Sequence, residues 1–469
     1  MGAGKIHAIV VLLLSFSILS GSVQAKYSGG TGSPEDPYLI STAADMNQIG
    51  RNYTDWDKCF KLTADINLSA YTGTQFSRIG TDANHAFSGV FDGNGHTISG
   101  FTYTAEGRDY IGVFGNNRGI IENVSLVDVN VTGRSYVGGL VGNMEGSDYG
   151  SEISNCNSTG VIRGGDNSWN IGGLVGCAST NEYWCYINNC YSTSAVTGGN
   201  GSAYLGGLVG QIVNGDISYC YSTGAVTGRD GSVCLGGLVG GIGSTGSYEY
   251  WSEGDISYCY STGTVTGGDD SYDLGGLVGA GSDESYGNIS DCYSTGAVSS
   301  GYNSDSLGGL VGYVYYGDVA DCYANGEVVG DYDAGGLVGL KESYSTITTC
   351  YSSGRVSGYM FVGGLLGWDN GEQETTDSFW DTNTSGQSWS AGGTGKTTAE
   401  MMTKNTFTDA GWNFDNVWHI CETTNYPKLL WQILPADLVC PDGVNFVDFA
   451  FFAKRWLNTG LLLLPATAS

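Results

Sequence analysis

The stretch Leu205-Gly206-Gly207-Leu208-Val209-Gly210 returns as LGGLVG at Leu235–Gly240, Leu274–Gly279 and Leu307–Gly312. Close variants stand at Val137–Gly142, Ile171–Gly176, Ala334–Gly339 and Val362–Gly367, and a divergent copy, IGVFG, begins at Ile111. Counted from the first glycine of each copy, the intervals are 26, 34, 34, 30, 39, 33, 27 and 28 residues. A phosphate-cradling loop needs such a glycine cluster once. A cluster recurring at this period marks a solenoid, in which each unit buries its apolar face only against its neighbours.

Each unit has a second half, ISYCYSTGAVTG at Ile217–Gly228, ISYCYSTGTVTG at Ile256–Gly267 and ISDCYSTGAVS at Ile289–Ser299. Related copies start at Ile187, Val319 and Ile347. These β-branched runs broken by Gly, Asn and Ser read as short strands joined by turns. No 3.6-residue apolar stripe runs between Phe87 and Gly367, which rejects a helical solenoid. The predicted fold is therefore all-β, a parallel β-helix-like solenoid of about nine coils. Length differences fall after the last Gly of GGLVG and after VTG, so loops belong there. Strict alternation puts Leu205, Gly207 and Val209 on one face and Leu208 on the other, unless a bulge at the glycine pair reverses Leu208.

Glycine is 78 of 469 residues while proline is only 6, which excludes collagen and a Pro-rich linker. The net charge of −29, with 18 basic residues, excludes a nucleic-acid groove and disfavours anionic membranes. Residues 1–25 read as a secretory signal peptide: Lys5, the apolar run Ile6–Leu19, then Val23-Gln24-Ala25. No later stretch is long enough to span a membrane, so the chain is expected to be secreted or at the cell surface. The remainder divides into an N-terminal cap with first coils (26–105), the solenoid (106–390), a C-terminal cap (391–433), a half-module (434–457) and a tail (458–469). Solenoid ends expose apolar faces and strand edges, hence the caps. Ser41 or Thr42 should cap one short helix, and Thr397 or Thr398 another.

Cys156, Cys190, Cys220, Cys259, Cys292, Cys322 and Cys350 occupy one place in seven successive units, with Val124 and Ser378 at that place in the outer ones. A position that accepts Val, Cys and Ser is small and inward-facing. A ladder of buried, unreactive thiols follows. In-register parallel neighbours rarely meet disulfide geometry, and seven is an odd number. Cys177, Cys185 and Cys234 lie off the column and are candidates for pairing.

With these residues in view, the chain resembles the GLUG-motif repeat proteins, from roughly Tyr27 to Trp431. FDGNGHTISGF at Phe91–Phe101 is similar to their opening coil. FWDTNTSGQSWSAGGTGKTTAEM at Phe379–Met401, with NYPKLLW at Asn425–Trp431, is similar to their close. The resemblance implies an extracellular β-solenoid, seen in bacterial surface proteins and beside the zinc protease domain of some immunoglobulin-cleaving enzymes. The segment Asp437–Leu457 resembles one half of a dockerin, with Phe449, Phe452, Ala453 and Trp456 on one helix face. Asp437, Asn445 and Asp448 would be its Ca²⁺ ligands, but Val439 and Pro441 stand where oxygen donors are needed. It reads as a vestigial docking helix.

No H-E-x-x-H, G-x-S-x-G or phosphate loop occurs, so no catalytic residues are assigned. Asp269, Asp270 and Asp273 form the densest acidic cluster, as solvated turns or a Ca²⁺ site across coils. No other cofactor is implied. Aromatic loops follow three of the glycine clusters, with Tyr183 and Trp184, Tyr250 and Trp251, and Tyr315 and Tyr316. Exposed Tyr and Trp supply rigid contact area for sugars or proteins. The expected function is a non-catalytic, adhesin-like scaffold binding an extracellular glycan or surface protein. The alternative is a polysaccharide lyase or hydrolase on the same solenoid.

Overall fold

The computed structural model describes residues 26–433, apart from 83, 147–149, 180–183, 244–251, 282–284, 343 and 372. The leader, the dockerin-like segment with Asp437, Asn445 and Asp448, and the tail lie outside the described residues. The chain winds as a parallel β-solenoid, and one coil serves for all. Ala203–Gly206 is its leading strand, Gly207 and Leu208 turn a corner, and Val209–Val213 is the trailing strand. Gly215–Ser218 forms the base, and Tyr221–Ser222 with Val226–Thr227 makes the return. The trailing sheet stacks nine strands, one for each glycine cluster. The base sheet stacks twelve, because Tyr38–Ile40, Cys59–Leu62 and Val90–Asp92 precede the first repeat as extra rungs.

Stacking is in register, so like residues meet. Leu205 faces Leu235, Leu235 faces Leu274 and Leu274 faces Leu307. Leu205, Leu208 and Val209 are all fully buried, so of the two alternatives Leu208 is reversed at the glycine pair and faces the core. LGGLVG is not one strand but the end of one, a bend and the start of the next. The bend points Leu208 inward beside its neighbours, each such side chain contributing about 1.5–3 kcal/mol.

Close approach explains the glycines. A Cβ on Gly206 would overlap the carbonyl oxygen of Val209, and one on Gly207 the carbonyl of Gly237 and Oγ of Ser222. Positive φ is needed elsewhere, in two columns without glycine. The residue before the last two of each leading strand is left-handed, at Tyr136, Asn170, Tyr204, Cys234, Asp273, Ser306, Asp333 and Phe361, with φ between 47° and 61°. So is the residue before the cysteine position, from Asn123 through Asn155, Asn189, Tyr219, Tyr258, Asp291, Asp321 and Thr349 to Asp377, with φ between 50° and 56°. Each such residue carries backbone strain of about 1–2 kcal/mol unless it is Asn or Asp, which tolerate the conformation best.

At the N-terminal end, helix α1 (Ala43–Arg51) buries Met46 and Ile49 and starts at Thr42, whose hydroxyl accepts from the Asp45 N–H while Asp45 accepts from the Thr42 N–H. At the other end Thr394–Lys396 adds a last parallel rung beside Phe379–Asp381. Thr397 then caps helix α2 (Thr398–Met401) through Glu400, and helix α3 (Lys404–Thr408) follows. An antiparallel pair, Trp418–His419 with Lys428–Leu429, completes the segment. Residues 382–396 close the end, whereas 398–433 run back along the flank of the solenoid, over the return strands.

Candidate functional site

The cysteine column is structural. Its seven thiols are free and at most 1% exposed. Each of Cys156, Cys190, Cys220 and Cys259 donates its backbone N–H to the next sulfur, at 3.3–3.4 Å. Cys350 donates instead to Ser378 Oγ at 3.1 Å, so Ser378 does hold the cysteine place. Burial pushes the thiols of Cys156, Cys190, Cys220, Cys259 and Cys322 well above the usual range, which suppresses the reactive thiolate. The pairing considered for Cys177, Cys185 and Cys234 does not form, since all three are buried free thiols. Cys421, which the sequence reading passed over, is disulfide-bonded.

A second column lies one residue on, facing outward. Tyr191, Tyr221, Tyr260, Tyr293, Tyr323 and Tyr351 stack ring on ring at 4.8–5.1 Å, with planes within 6°. The spacing is that of adjacent strands, so register alone produces the stack. The returning segment covers its C-terminal part. Tyr351 donates to Pro427 O at 2.7 Å, Trp418 Nε1 to Asp321 Oδ1 at 3.0 Å, and Trp431 Nε1 to Asp291 O at 3.0 Å. Trp431 lies over Tyr260 and Tyr293, its ring 6.3 and 5.8 Å from theirs. The phrase CYST in the repeats carried this column in plain view, but nothing in the sequence said that a later segment would cover it.

The loops after the glycine corners carry the aromatic residues picked out from sequence. Tyr183, Tyr250 and Trp251 lie outside the described residues. Trp184 is 37% exposed. Tyr315 meets Tyr316 edge-on at 4.7 Å, and Tyr316 stacks on Tyr344 at 5.1 Å. Tyr344, 58% exposed, extends the cluster into the next coil. It escaped the sequence reading because it stands alone after its glycine cluster, in LKESYS, without the run of aromatics found in the other loops. Beneath this flank Lys341 is fully buried, and its Nζ pairs with Asp369 at 2.9 Å and donates to Gln373 O at 2.6 Å.

The acidic turns have a local use. Asp230 Oδ1 accepts the N–H of Asp269 at 3.1 Å, and Asp269 Oδ1 that of Tyr302 at 2.8 Å. Asp270 Oδ1 accepts Asn303 Nδ2 at 2.7 Å. Each carboxylate thus caps the turn one coil on, which backbone pairing leaves unsatisfied. Asp273 stands apart, in the left-handed column of the leading strand. The three do not converge, and among the described residues no group of three or more His, Cys, Asp and Glu is placed to hold a metal.

Near these turns a surface cavity of about 520 Å³ is lined by Asp270, Tyr272, Asn303, Asp305, Ser306 and Tyr332. At its margin burial first, then the neighbouring Asp305 carboxylate, pushes the Asp333 carboxyl up to about 7. A second cavity, of about 450 Å³, is lined by Asp92, Asn94, Asn123, Ser125, Asn155 and Asn157 among others. There the asparagines of successive coils form a chain, with Asn189 donating to Asn155 at 2.6 Å and Asn155 to Asn123 at 3.2 Å.

Five segments match the model of the GLUG motif, at residues 133–163, 201–227, 231–266, 270–299 and 303–329. The chain therefore carries GLUG repeats, and the matched segments do not reach 434–457. It is similar to halomucin of Haloquadratum walsbyi, 37% identical over 153 residues, which are 30% of this chain and 2% of that protein. It is also similar to a protein of Evansella cellulosilytica named as a candidate Gly-rich membrane protein, 35% identical over 153 residues, or 32% of this chain and 17% of the other. The chain thus spans only a small part of the relatives it matches. Among solved structures it is similar to a Bacteroides ovatus protein named as a candidate immunoglobulin A1 protease, 21% identical, with a TM-score of 0.47 over 86% of this chain and 95% of that one.

Proposed function

We propose that this GLUG-repeat chain is a secreted or cell-surface scaffold, adhesin-like, that works by binding an extracellular glycan or surface protein and catalyses nothing itself. The observation that carries the proposal is the aromatic cluster of half-buried Tyr315 and Tyr316 with exposed Tyr344, on the flank that follows the glycine corners. The solenoid core is a repeat of closely similar layers, so it supplies rigidity. Specific recognition falls to loops that differ from coil to coil. The names of the two relatives, a mucin and a membrane protein, support a place outside the cell. The acidic surface, with a net charge of −29, favours solubility there. No helix among the described residues is long and apolar enough to cross a membrane.

The hydrolase reading has one observation in its favour, the Asp305–Asp333 pair beside a cavity. Its geometry counts against it. Glycosidase carboxyls stand about 5–9.5 Å apart so that a sugar or water fits between them. Asp305 and Asp333 are instead direct electrostatic neighbours. A screen of the full chain against glycans and matrix proteins tests the binding proposal. Tyr315→Ala, Tyr316→Ala and Tyr344→Ala together should weaken the captured interaction at unchanged thermal stability. Full retention of binding would overturn the assignment of this flank, and release of reducing ends or unsaturated sugars from a polysaccharide would overturn the non-catalytic reading.

A further inference from the structure

The outward row of the leading sheet reads, coil by coil, Trp169, Ala203, Val233, Tyr272, Asp305, Tyr332 and Met360. Tyr272 and Tyr332 are therefore two coils apart, and the short side chain of Asp305 stands between them. Two strand spacings give about 10 Å from one ring's layer to the other's. Had an aromatic side chain stood at 305, three rings would stack as the tyrosines of the return strands do. Asp305 leaves one layer vacant.

A layer of that width, between two rings, is the space a single saturated ring in its chair form fills. Each face of such a ring stacks at roughly 4–5 Å on an aromatic neighbour. Asp270, Asn303, Asp305 and Ser306 line the slot together with the two tyrosines, and it is the 520 Å³ cavity already described. Asn303 Nδ2 holds Asp270 Oδ1 at 2.7 Å, and Ser306 Oγ holds Asp305 Oδ1 at 3.2 Å. The planar polar groups are thus fixed in place with acceptor capacity to spare, as hydroxyl recognition requires. Tyr272 is 46% exposed, so its ring is available to a partner.

Charge decides the class of ligand. Asp270, Asp305, Asp331 and Asp333 all lie within or beside the slot, and no Lys or Arg lines it. A uronate or sulfated sugar would be repelled. We propose that the slot between Tyr272 and Tyr332 binds an uncharged pyranose unit of a glycan, sandwiched between the two rings with its hydroxyls on Asp270, Asn303 and Asp305. The proposal rests on the reading of the chain as an extracellular binding scaffold, and places a sugar subsite on a face other than the Tyr315 flank.

Calorimetric titration of the full chain tests it, with neutral gluco-, manno-, galacto- and xylo-oligosaccharides in one arm and oligogalacturonate and heparin fragments in the other. At least one neutral oligosaccharide should bind with a Kd of millimolar or below, insensitive to salt, and neither anionic probe should. Tyr272→Ala and Tyr332→Ala should each weaken binding about tenfold. Asp305→Tyr should abolish it by filling the vacant layer. Because the row accepts Tyr one coil to either side, that variant should keep its melting temperature. No neutral binding, binding by the anionic probes alone, or binding unchanged in Asp305→Tyr would each overturn the proposal. Loss of a surface partner on mutation of Tyr315, Tyr316 and Tyr344, with Asp305→Tyr silent, would sink the sugar slot and leave the scaffold reading standing. Cleavage of the bound sugar would do the reverse.

Discussion

At the scale of single residues, the fold depends on places where a side chain is forbidden or forced inward. Gly207 lies against the Gly237 backbone of the next coil, so Gly207→Ala must push two coils apart and should lower the melting temperature by several degrees. Leu208→Ala should cost about 2–5 kcal/mol, as a cavity in a fully buried layer. Thermal unfolding followed by circular dichroism checks both. Two aspartates tune the response to pH. Burial, and then Asp321, pushes the Asp291 carboxyl up to about 6, as burial and Asp305 push Asp333 up to about 7. A carboxyl with a folded-state pKa above its unfolded value keeps its proton longer in the folded chain. The folded state is therefore favoured at acid pH, and stability is lost as pH climbs from about 4 through 7. Asp291→Asn should raise the melting temperature at pH 8 and change little at pH 4, since Asn tolerates the left-handed backbone at that position as well as Asp does. An equal gain at both pH values would remove charge as the cause.

At the scale of elements, strands were more legible than the path between them. The β-branched runs and the cysteine column announced buried, in-register strands, and the structure has them. At the glycine corner the sequence left the direction of Leu208 open. Periodicity describes a strand, and it cannot signal a bend that restarts the count at Leu208. The left-handed columns were missed for a related reason: Tyr, Thr and Phe occupy them as well as Asn and Asp, so composition does not mark them. The candidate sites divide in the same way. Tyr315 and Tyr316 could be picked out as a local run, whereas Tyr344 and the Tyr272–Tyr332 slot exist only once register is known. The segment at 398–433 belongs to this scale too. Its buried Trp418 should be worth about 3–5 kcal/mol, measured as the loss on Trp418→Ala in denaturant titration. The seven column thiols should be silent to a thiol reagent in the native protein and react only after denaturation; rapid reaction in native buffer would contradict the ladder.

At the scale of the whole molecule, stability is a sum over neighbouring coils. Removing one complete repeat, residues 206–235, should leave a folded, shorter solenoid, because Gly236 would then take the register of Gly206. Removing half as many residues should break the stack. Circular dichroism with small-angle scattering separates the two outcomes. The returning segment makes the sum uneven along the axis. From Trp431 beside Tyr258 to Trp412 beside Phe379, it ties five coils together. Under tension between its ends the solenoid is then a rope with one spliced length. Coils ahead of Tyr258 would peel away one at a time, each paying out roughly 100 Å of chain for every 30 residues, while the spliced coils hold together until the segment itself shears off. Force spectroscopy should show a regular sawtooth followed by one larger rupture, and the position of Trp431 sets where the first gives way to the second.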